Sequence, residues 1–198
     1  MKLNLGAGKT NFEGFINVDK STLFNPAIVH DLEITPWPFE SDSVDEIKLY
    51  HILEHLGENS NNFIKIIQEL YRICEHNALI DIVVPNPFSV GYLGDPTHVR
   101  PITPELFMLF DKELNLFWQQ DTNTAYSLLA LEHNVDFKIV QVDLIKVQAP
   151  DIIGYDNHDS GQAINSDLLN VSHKTYLEYM KGNNLYSALH IIIRVIKC

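Results

Sequence analysis

The sequence predicts an open α/β domain with a mostly parallel sheet, and two stretches of the chain lead to that prediction. In the first, a short apolar run at 2–5 leads into a glycine turn, and a second run at 15–18 ends on a carboxylate. In the second, an amphipathic helical pattern at 59–75 is followed by a nearly all-apolar run at 78–84. Apolar strands that alternate with helices are typical of parallel sheets, which are buried on both faces.

The opening stretch has the parts of a nucleoside site. Gly6, Ala7 and Gly8 end the first strand, and the two glycines lack a Cβ, so a ligand can approach the backbone closely. Asp19 ends the second strand and would emerge beside the glycines, because parallel strands end at the same edge of a sheet. A carboxylate there can accept hydrogen bonds from both hydroxyls of a ribose. Taken alone, a Gly-x-Gly sequence is equally a simple turn.

Two other nucleotide-binding motifs fit this stretch less well. Gly8-Lys9-Thr10 imitates the end of a phosphate-binding P-loop, but position 3 is leucine where the motif needs glycine, and no long helix follows. A nicotinamide site would require a third glycine and a helix before the acidic residue, and both are missing. The spacing therefore disfavours both kinds of site.

The run LNLGAGKTNFEGFINVD at 3–19 resembles motif I and the ribose-binding acid of class I S-adenosylmethionine-dependent methyltransferases. It is most similar to a subgroup in which a loop ending in glycine and an aromatic residue replaces most of the first helix. Asn4 stands where many relatives have an acidic residue, and Thr10 where many have a third glycine. The resemblance implies a seven-stranded, mostly parallel Rossmann-like sheet with an antiparallel last strand and helices on both faces. It implies that S-adenosylmethionine is held by Asn4, Leu5, Gly6, Ala7, Gly8 and Asp19.

Two later strand ends extend the resemblance. After the apolar run at 27–30, Asp31 stands where similar methyltransferases have an acid that accepts a hydrogen bond from the adenine amino group. The backbone N–H of Leu32 would then donate to the adenine ring. An aspartate at a strand end is also a common turn residue. The string HILEHL at 51–56 follows the fourth strand, and in the similar enzymes it forms the floor of the cofactor site, so His51 would lie near the reacting methyl group.

The same string offers a different chemistry, because it contains H-x-x-E-H, the inverted zinc-peptidase signature. On a helix, His51 and His55 would share one face and could bind zinc, with Glu54 as the general base. The strand-like Leu49-Tyr50 directly before His51 leaves no room for a helical turn. We therefore assign no metal ligands, keep a zinc hydrolase as a minor alternative, and expect Glu54 and His55 to brace the loop.

The loop at about 85–103 is the expected place for the methyl acceptor, because loops at the carboxyl edge of a parallel sheet bind substrates. Similar methyltransferases carry a related DPTH-R-TPE stretch. Asp95, His98 and Arg100 are the candidates for substrate contact. His98 is the candidate general base, since an ordinary histidine titrates near pH ~6.5, and His51 is the second catalytic candidate. An equal alternative is that the three loop side chains only hold the loop together.

The composition of the chain limits the number of domains, the kinds of partner and the cellular compartment that are expected. The chain of 198 residues is expected to form one domain, with insertions at about 85–103 and 148–187. Its net charge of −12 is spread along the sequence, and no cluster of Lys and Arg could follow a phosphate backbone, so nucleic acid is not an expected substrate. No apolar run approaches the roughly 20 residues of a membrane span. Two cysteines, and a start directly in a strand without a signal peptide, favour the cytoplasm.

A helix at 122–134, a strand at 137–147 and a last strand at 188–196 are expected to complete the domain. The 148–187 insertion is rich in Asp, Asn, Ser, Gly and Tyr, which suits a lid, a homodimer contact or a partly mobile loop. The expected function is S-adenosylmethionine-dependent methyl transfer to a small-molecule or sugar acceptor. A module that binds S-adenosylmethionine without catalysis is the alternative.

Overall fold

The structure, a computed structural model, describes residues 1–120, 125–146, 163–165 and 186–197. Its strands are β1 (Lys2–Leu5), β2 (Ile16–Asp19), β3 (Ile28–Val29), β4 (Val44–Tyr50), β5 (Cys74–Pro85), β6 (Phe137–Lys146), β7 (Ala163–Asn165) and β8 (Tyr186–Val195). Its helices are α1 (Ser60–Ile73), α2 (Val90–Leu93), α3 (Pro104–Met108), α4 (Lys112–Gln120) and α5 (Leu129–His133), with 3-10 turns at Thr22–Phe24 and Leu53–His55.

The strands form one sheet in the order β3-β2-β1-β4-β5-β8-β6-β7. Strands β1 to β5 pair in parallel, whereas β8 lies between β5 and β6 and is antiparallel to both. This arrangement confirms the predicted fold class, including the antiparallel last strand. The sheet has one strand more than the seven predicted, because β7 adds three residues beyond β6. The carboxyl ends of β1 to β5 meet at one edge, where the site was expected.

Helix α1 covers one face of the sheet. Its buried apolar side chains recur every three or four residues and join the core formed by the strands. They are Phe63, Ile66, Ile67, Leu70 and Ile73. Complete burial of one such side chain contributes about 1.5–3 kcal/mol. The helix begins after Asn59, which caps it: the Asn59 side chain accepts a 2.9 Å hydrogen bond from the N–H of Asn62.

An ion pair within α1 holds the loop before β4. Glu69 and Arg72 are 2.7 Å apart, and Glu69 also accepts a 2.6 Å hydrogen bond from the backbone N–H of Trp37. Arg72 donates to the carbonyl oxygens of Trp37 and Phe39, at 3.2 and 2.8 Å. Trp37 and Phe39 are buried, so these two aromatic residues fill the core beneath the loop.

The other face of the sheet carries aromatic and charged side chains. The loop after β1 places Phe12 edge-on against Tyr50, with 5.3 Å between ring centroids, and Lys48 lies over the rings of Phe12 and Phe15. The predicted replacement of the first helix by an aromatic loop is therefore present. Asp81 accepts hydrogen bonds from Lys48 and Tyr50, at 2.6 and 2.8 Å.

His190 on β8 completes this network. Its Nε2 is 2.8 Å from Oδ1 of Asp81, and its Nδ1 is 3.3 Å from Oδ2 of Asp143. Burial alone would raise the pKa of Asp81, but the hydrogen bonds from His190, Lys48 and Tyr50 outweigh it and lower this pKa to about 2. The hydrogen bond to Asp81 raises the pKa of His190 above its ordinary value, against the effect of burial.

These pKa shifts predict a pH-dependent stability. The raised pKa means that His190 stabilises the fold fully below about pH 6.5 and loses this contribution as pH rises through its folded-state pKa. Asp81 contributes above about pH 4 and loses its contribution as pH falls toward 2. We expect His190→Gln to cost about 1–2 kcal/mol of unfolding free energy at pH 6 and less at pH 9, measured by urea unfolding.

His76→Gln is the matched control, since His76 is an exposed histidine near the start of β5. Its cost should be small at both pH values. A cost for His190→Gln that stays the same from pH 6 to pH 9 would contradict the assigned charge state of His190.

Several element boundaries differ from the sequence expectations. Strand β5 begins at Cys74 rather than 78, directly after α1, and it includes Asn77, which has a positive φ. The helix expected at 122–134 spans only Leu129–His133 among the described residues, and α4 was not predicted. The 148–187 insertion, with its proposed lid or dimer contact, lies outside the described residues except for 163–165 and 186–187. Among the helices described, none is long and apolar enough to cross a membrane.

Candidate functional site

The glycine turn after β1 has a backbone geometry that favours glycine. Gly6 and Gly8 have φ values of +68° and +50°. The N–H groups of Gly6 and Ala7 both donate to the carbonyl oxygen of Val18, at 2.9 and 3.1 Å, which joins the turn to β2. A Cβ on Gly6 would lie 2.3 Å from Cγ1 of Ile52. The turn is therefore packed directly against the loop after β4.

Asp19 lies beside the glycine turn, as the sequence predicted. Its Oδ2 accepts a 2.8 Å hydrogen bond from the N–H of Gly8, and its Oδ1 accepts one of 2.8 Å from the N–H of Ser21. One donor on each oxygen fixes the orientation of the carboxylate and leaves further lone pairs on both oxygens. This arrangement allows Asp19 to accept two more hydrogen bonds from neighbouring hydroxyls.

Three of the predicted cofactor residues support the turn from inside. Asn4 is buried, and its amide donates to the carbonyl oxygen of Thr10 at 2.9 Å and to Oδ1 of Asn17 at 3.0 Å. Both amide protons are thus used within the protein, and cofactor binding by Asn4 stays a prediction. The side chains of Leu5 and Ala7 are also buried, so these two residues offer a ligand only their backbone.

Asp31 and Leu32 form a turn at the end of β3. The N–H of His30 donates to the carbonyl oxygen of Asp19 at 3.0 Å, which brings this turn next to the end of β2. Oδ1 of Asp31 accepts a 3.0 Å hydrogen bond from the N–H of Glu33, the turn role considered from the sequence. The side chain of Leu32 is buried in the core. The structure therefore brings Asp31 to the same edge as Asp19.

Glu33 is a positioning residue that the sequence analysis missed. Its carboxylate accepts a 2.8 Å hydrogen bond from the N–H of Gly57 and another from the side-chain amide of Asn62. These bonds tie the turn of Asp31 to the loop that precedes α1. No local pattern identifies the pair, because Glu33 and Gly57 are far apart in the sequence and meet only in the folded sheet.

The loop at 51–56 is not helical at its start. His51 has a φ of +53°, and its N–H donates to the carbonyl oxygen of Val83 at 2.8 Å, which continues the pairing of β4 with β5. A single 3-10 turn follows at Leu53–His55. The shared helical face that H-x-x-E-H requires for His51 and His55 is therefore not formed. The side chain of His51 is 58% exposed at the carboxyl end of β4, and its Nδ1 is 3.6 Å from Oε1 of Glu54.

Glu54 and His55 do brace the neighbouring loop, as expected. The carbonyl oxygen of Glu54 accepts from the N–H groups of Val99 and Arg100, at 2.9 and 3.3 Å. Nδ1 of His55 is 3.2 Å from the carbonyl oxygen of Thr97. The Glu54 side chain itself is buried, and one of its oxygens is 3.8 Å from Nε2 of His55.

The three predicted substrate residues have different settings. Asp95 is exposed, and its Oδ1 accepts from the backbone and hydroxyl of Thr97 at 2.8 and 2.6 Å. His98 is mostly buried, with Nδ1 2.8 Å from the carbonyl oxygen of Tyr92. Arg100 donates to the carbonyl oxygen of Gly57 at 2.9 Å and lies over the ring of Phe63. Arg100 is thus directed toward α1 and away from the other two.

A separate groove lies on the α1 side of the molecule. It has a volume of about 700 Å³, and its lining includes Arg100, Phe63, Leu106, Phe110 and His133. Arg100 is the only predicted site residue in this lining. The groove therefore does not coincide with the edge formed by the glycine turn, Asp19, Asp31 and His51.

Comparisons with known proteins identify the fold. Neither a protein-family model nor a curated protein sequence matches this chain. Among solved structures, a SAM-dependent methyltransferase from Archaeoglobus fulgidus gives a TM-score of 0.54 at 18% identity, over 98% of this chain and 85% of that one. A Thermotoga maritima protein, described as a SAM-dependent methyltransferase and possible histamine N-methyltransferase, gives 0.57 at 11% identity, over 99% and 81%. The YcgJ protein from Bacillus subtilis gives 0.52 at 13% identity, over 100% and 92%.

At these identities the likeness establishes the fold and nothing finer. The chain has the Rossmann-like fold of class I S-adenosylmethionine-dependent methyltransferases. The fold expected from the resemblance is confirmed. Support for a ligand and a reaction comes from the side chains at the carboxyl edge of the sheet.

Proposed function

We propose that this chain binds S-adenosylmethionine and transfers its methyl group to a small-molecule or sugar acceptor. The observation that carries the proposal is the contact between the glycine turn and the ribose acid: the N–H of Gly8 holds Oδ2 of Asp19 at 2.8 Å. It supports a nucleoside site because it orients a carboxylate beside a turn that a ligand can approach closely. The same combination in a methyltransferase fold supports S-adenosylmethionine over other nucleosides.

The strand ends suggest how the cofactor would lie. Asp19 would accept hydrogen bonds from the two ribose hydroxyls. Asp31 and the backbone N–H of Leu32 would bind the adenine ring, since the His30–Asp19 backbone bond holds this turn beside the ribose acid. The backbone from Gly6 to Gly8 would contact the methionine part, and the exposed His51 would lie near the methyl group.

In the proposed reaction, the main task of the protein is to align the methyl donor with the acceptor. When bound, S-adenosylmethionine supplies a methyl group on a positively charged sulfur, which an oxygen, nitrogen or carbon nucleophile displaces in line. Charge is lost from sulfur in the transition state, so a dry site that positions donor and acceptor accounts for most of the acceleration. The net charge of −12 is compatible with a cationic cofactor and unfavourable for a nucleic-acid acceptor.

His98 is the proposed base for an acceptor that must lose a proton. A carbonyl oxygen only accepts hydrogen bonds, so the 2.8 Å contact with Tyr92 assigns the ring proton to Nδ1 of His98. Nε2 is then the nitrogen that can take a proton. We expect His98→Gln to leave S-adenosylmethionine affinity within about twofold and to slow methyl transfer by about 100-fold, measured by single-turnover kinetics.

The matched control for this prediction is His133→Gln, which changes a histidine in the groove on the α1 side. Its transfer rate should equal that of the wild type. A loss of cofactor affinity in His98→Gln equal to its loss of rate would assign His98 to cofactor binding instead.

Calorimetry of the wild-type chain tests the proposal as a whole. We expect one equivalent of S-adenosylmethionine to bind, and its demethylated product S-adenosylhomocysteine to compete for the same site. A methyl-transfer screen against a metabolite and sugar library would then identify the acceptor. Cofactor binding without turnover on any acceptor would favour the non-catalytic module, and no binding of either compound would refute the proposal.

A further inference from the structure

A buried carboxylate without a hydrogen-bond partner lies next to the edge of the sheet at which methyl transfer is proposed. Glu54 is 1% exposed, and neither of its carboxylate oxygens has a hydrogen-bond partner among the described residues. A buried carboxylate without donors is strongly unfavourable, because it loses hydration and gains nothing in return. The neighbouring groups are therefore expected to include a positive charge.

Three histidines lie near this carboxylate. His51, which is largely exposed, has its Nδ1 3.6 Å from Oε1 of Glu54, whereas His55 and His98 form a compact cluster with Glu54. One ligand atom each from Glu54, His55 and His98 lies within 4.8 Å of the other two, and Nε2 of His55 is 3.8 Å from Oε1 of Glu54. The two imidazole rings are also in contact, with 4.7 Å between their centroids. The three side chains come from two separate loops, one after β4 and one after β5, so the cluster forms only in the folded protein.

The hydrogen bonds of His55 and His98 leave one ring nitrogen of each histidine free for a ligand. Nδ1 of His98 is 2.8 Å from the carbonyl oxygen of Tyr92, and Nδ1 of His55 is 3.2 Å from that of Thr97. The Thr97 hydroxyl donates to Asp95, so it too can only accept from Nδ1 of His55. Both ring protons are thus on Nδ1, and both Nε2 atoms carry lone pairs. Metal-binding histidines characteristically have this outer hydrogen bond to a carbonyl oxygen.

We propose that Glu54, His55 and His98 form a binding site for a divalent transition-metal ion of the Zn²⁺ class. Two neutral imidazoles and one carboxylate are the ligand set of zinc and related ions, whereas Mg²⁺ and Ca²⁺ prefer oxygen ligands. A bound ion would compensate the buried charge of Glu54. Asp95 adds a second carboxylate oxygen, 3.8 Å from Nε2 of His98, which raises the negative potential at the site.

This site differs from the zinc-peptidase arrangement considered from the sequence. Glu54 is a ligand here and not a base, and His98 replaces His51 as the second histidine. Ligand atoms about 2.0–2.2 Å from one ion are at most about 4.4 Å apart, and the three atoms here already lie within 4.8 Å of one another, so binding of one ion requires at most a small approach. The inference does not rest on the proposed methyl transfer. It competes with the general-base role of His98, because one lone pair on Nε2 cannot bind an ion and take a proton at the same time, and the metal titration decides between the two roles.

Metal titration of the full chain tests this site without any activity assay. The protein is stripped with a chelator, and Zn²⁺ or Co²⁺ is added while calorimetry and the visible absorption of Co²⁺ are recorded. We expect one ion per chain, a four- or five-coordinate Co²⁺ spectrum, and at least about 100-fold weaker binding in Glu54→Gln and His98→Gln. Mg²⁺ should not compete.

His76→Gln is the control for adventitious binding, because His76 is an exposed histidine at the opposite end of β5. It should bind Zn²⁺ like the wild type. Thermal melts of each variant with and without Zn²⁺ provide a second readout: Zn²⁺ should raise the Tm of wild type and His76→Gln, and not that of Glu54→Gln. Equal affinities for wild type and Glu54→Gln, or no stoichiometric binding, would overturn the proposal in favour of an ion pair between Glu54 and a protonated histidine.

Discussion

Replacement of Asp19 by alanine is expected to weaken S-adenosylmethionine binding by at least about 100-fold. The carboxylate would make two charge-assisted hydrogen bonds to the ribose, each contributing about 1.5–3 kcal/mol, and every 1.4 kcal/mol changes affinity tenfold. The substitution also removes the acceptors for the N–H groups of Gly8 and Ser21, so the glycine turn loses its anchor. Calorimetry with S-adenosylmethionine measures the effect directly.

Two further variants sharpen this result. Asp45→Ala removes an aspartate near the amino end of β4, away from the site, and should bind the cofactor like the wild type. Asp19→Asn keeps the shape of the side chain without its charge, and we expect an affinity between those of wild type and Asp19→Ala. If Asp19→Ala retained wild-type affinity, the nucleoside site would have to lie elsewhere.

The second large effect is expected on stability, from Gly57→Ala. Gly57 has a φ of +68°, and a Cβ there would lie 2.5 Å from both Cα and Cβ of Phe63 in the first turn of α1. Positive φ costs about 1–2 kcal/mol for a residue with a side chain, and the collision with helix backbone adds about 1–3 kcal/mol. We expect a loss of about 3–4 kcal/mol of unfolding free energy in urea.

Gly14→Ala separates the two components of this loss. Gly14 also has a positive φ, +80°, but a Cβ on it would meet no atom within 4 Å. Its substitution should therefore cost only the backbone term, about 1–2 kcal/mol. Equal costs at the two positions would show that α1 moves aside, so that Gly57 is not required by packing.

The sequence predicted the fold because its signals were local. The apolar run before Gly6, the helical spacing of Phe63, Ile66 and Leu70, and the acid at the end of β2 each specify an element without help from distant residues. The order of these strands and helices along the chain then indicated a mostly parallel sheet. Even Asp19 beside Gly8 follows from two neighbouring parallel strands ending together.

The parts that could not be predicted depend on tertiary contacts. Nothing around Asn4 indicates that Thr10 and Asn17 use both of its amide protons. The proximity of Glu54 to His98 could not be predicted from the sequence either, since the two residues lie on loops after different strands. The string at 51–55 has a helical motif, but the bond from His51 to Val83 extends the strand into it. Sheet pairing thus outweighed the local pattern.

The position of β8 has a consequence for how the chain folds. This strand joins β5 to β6, yet its Arg194 pairs with Leu79 of β5, which is far away in the chain. A long loop must therefore close before the two halves of the sheet unite. Until then β5 and β6 present open edges that invite association between chains. We therefore expect slow refolding from denaturant, with recovery of native protein that improves on dilution and at low temperature.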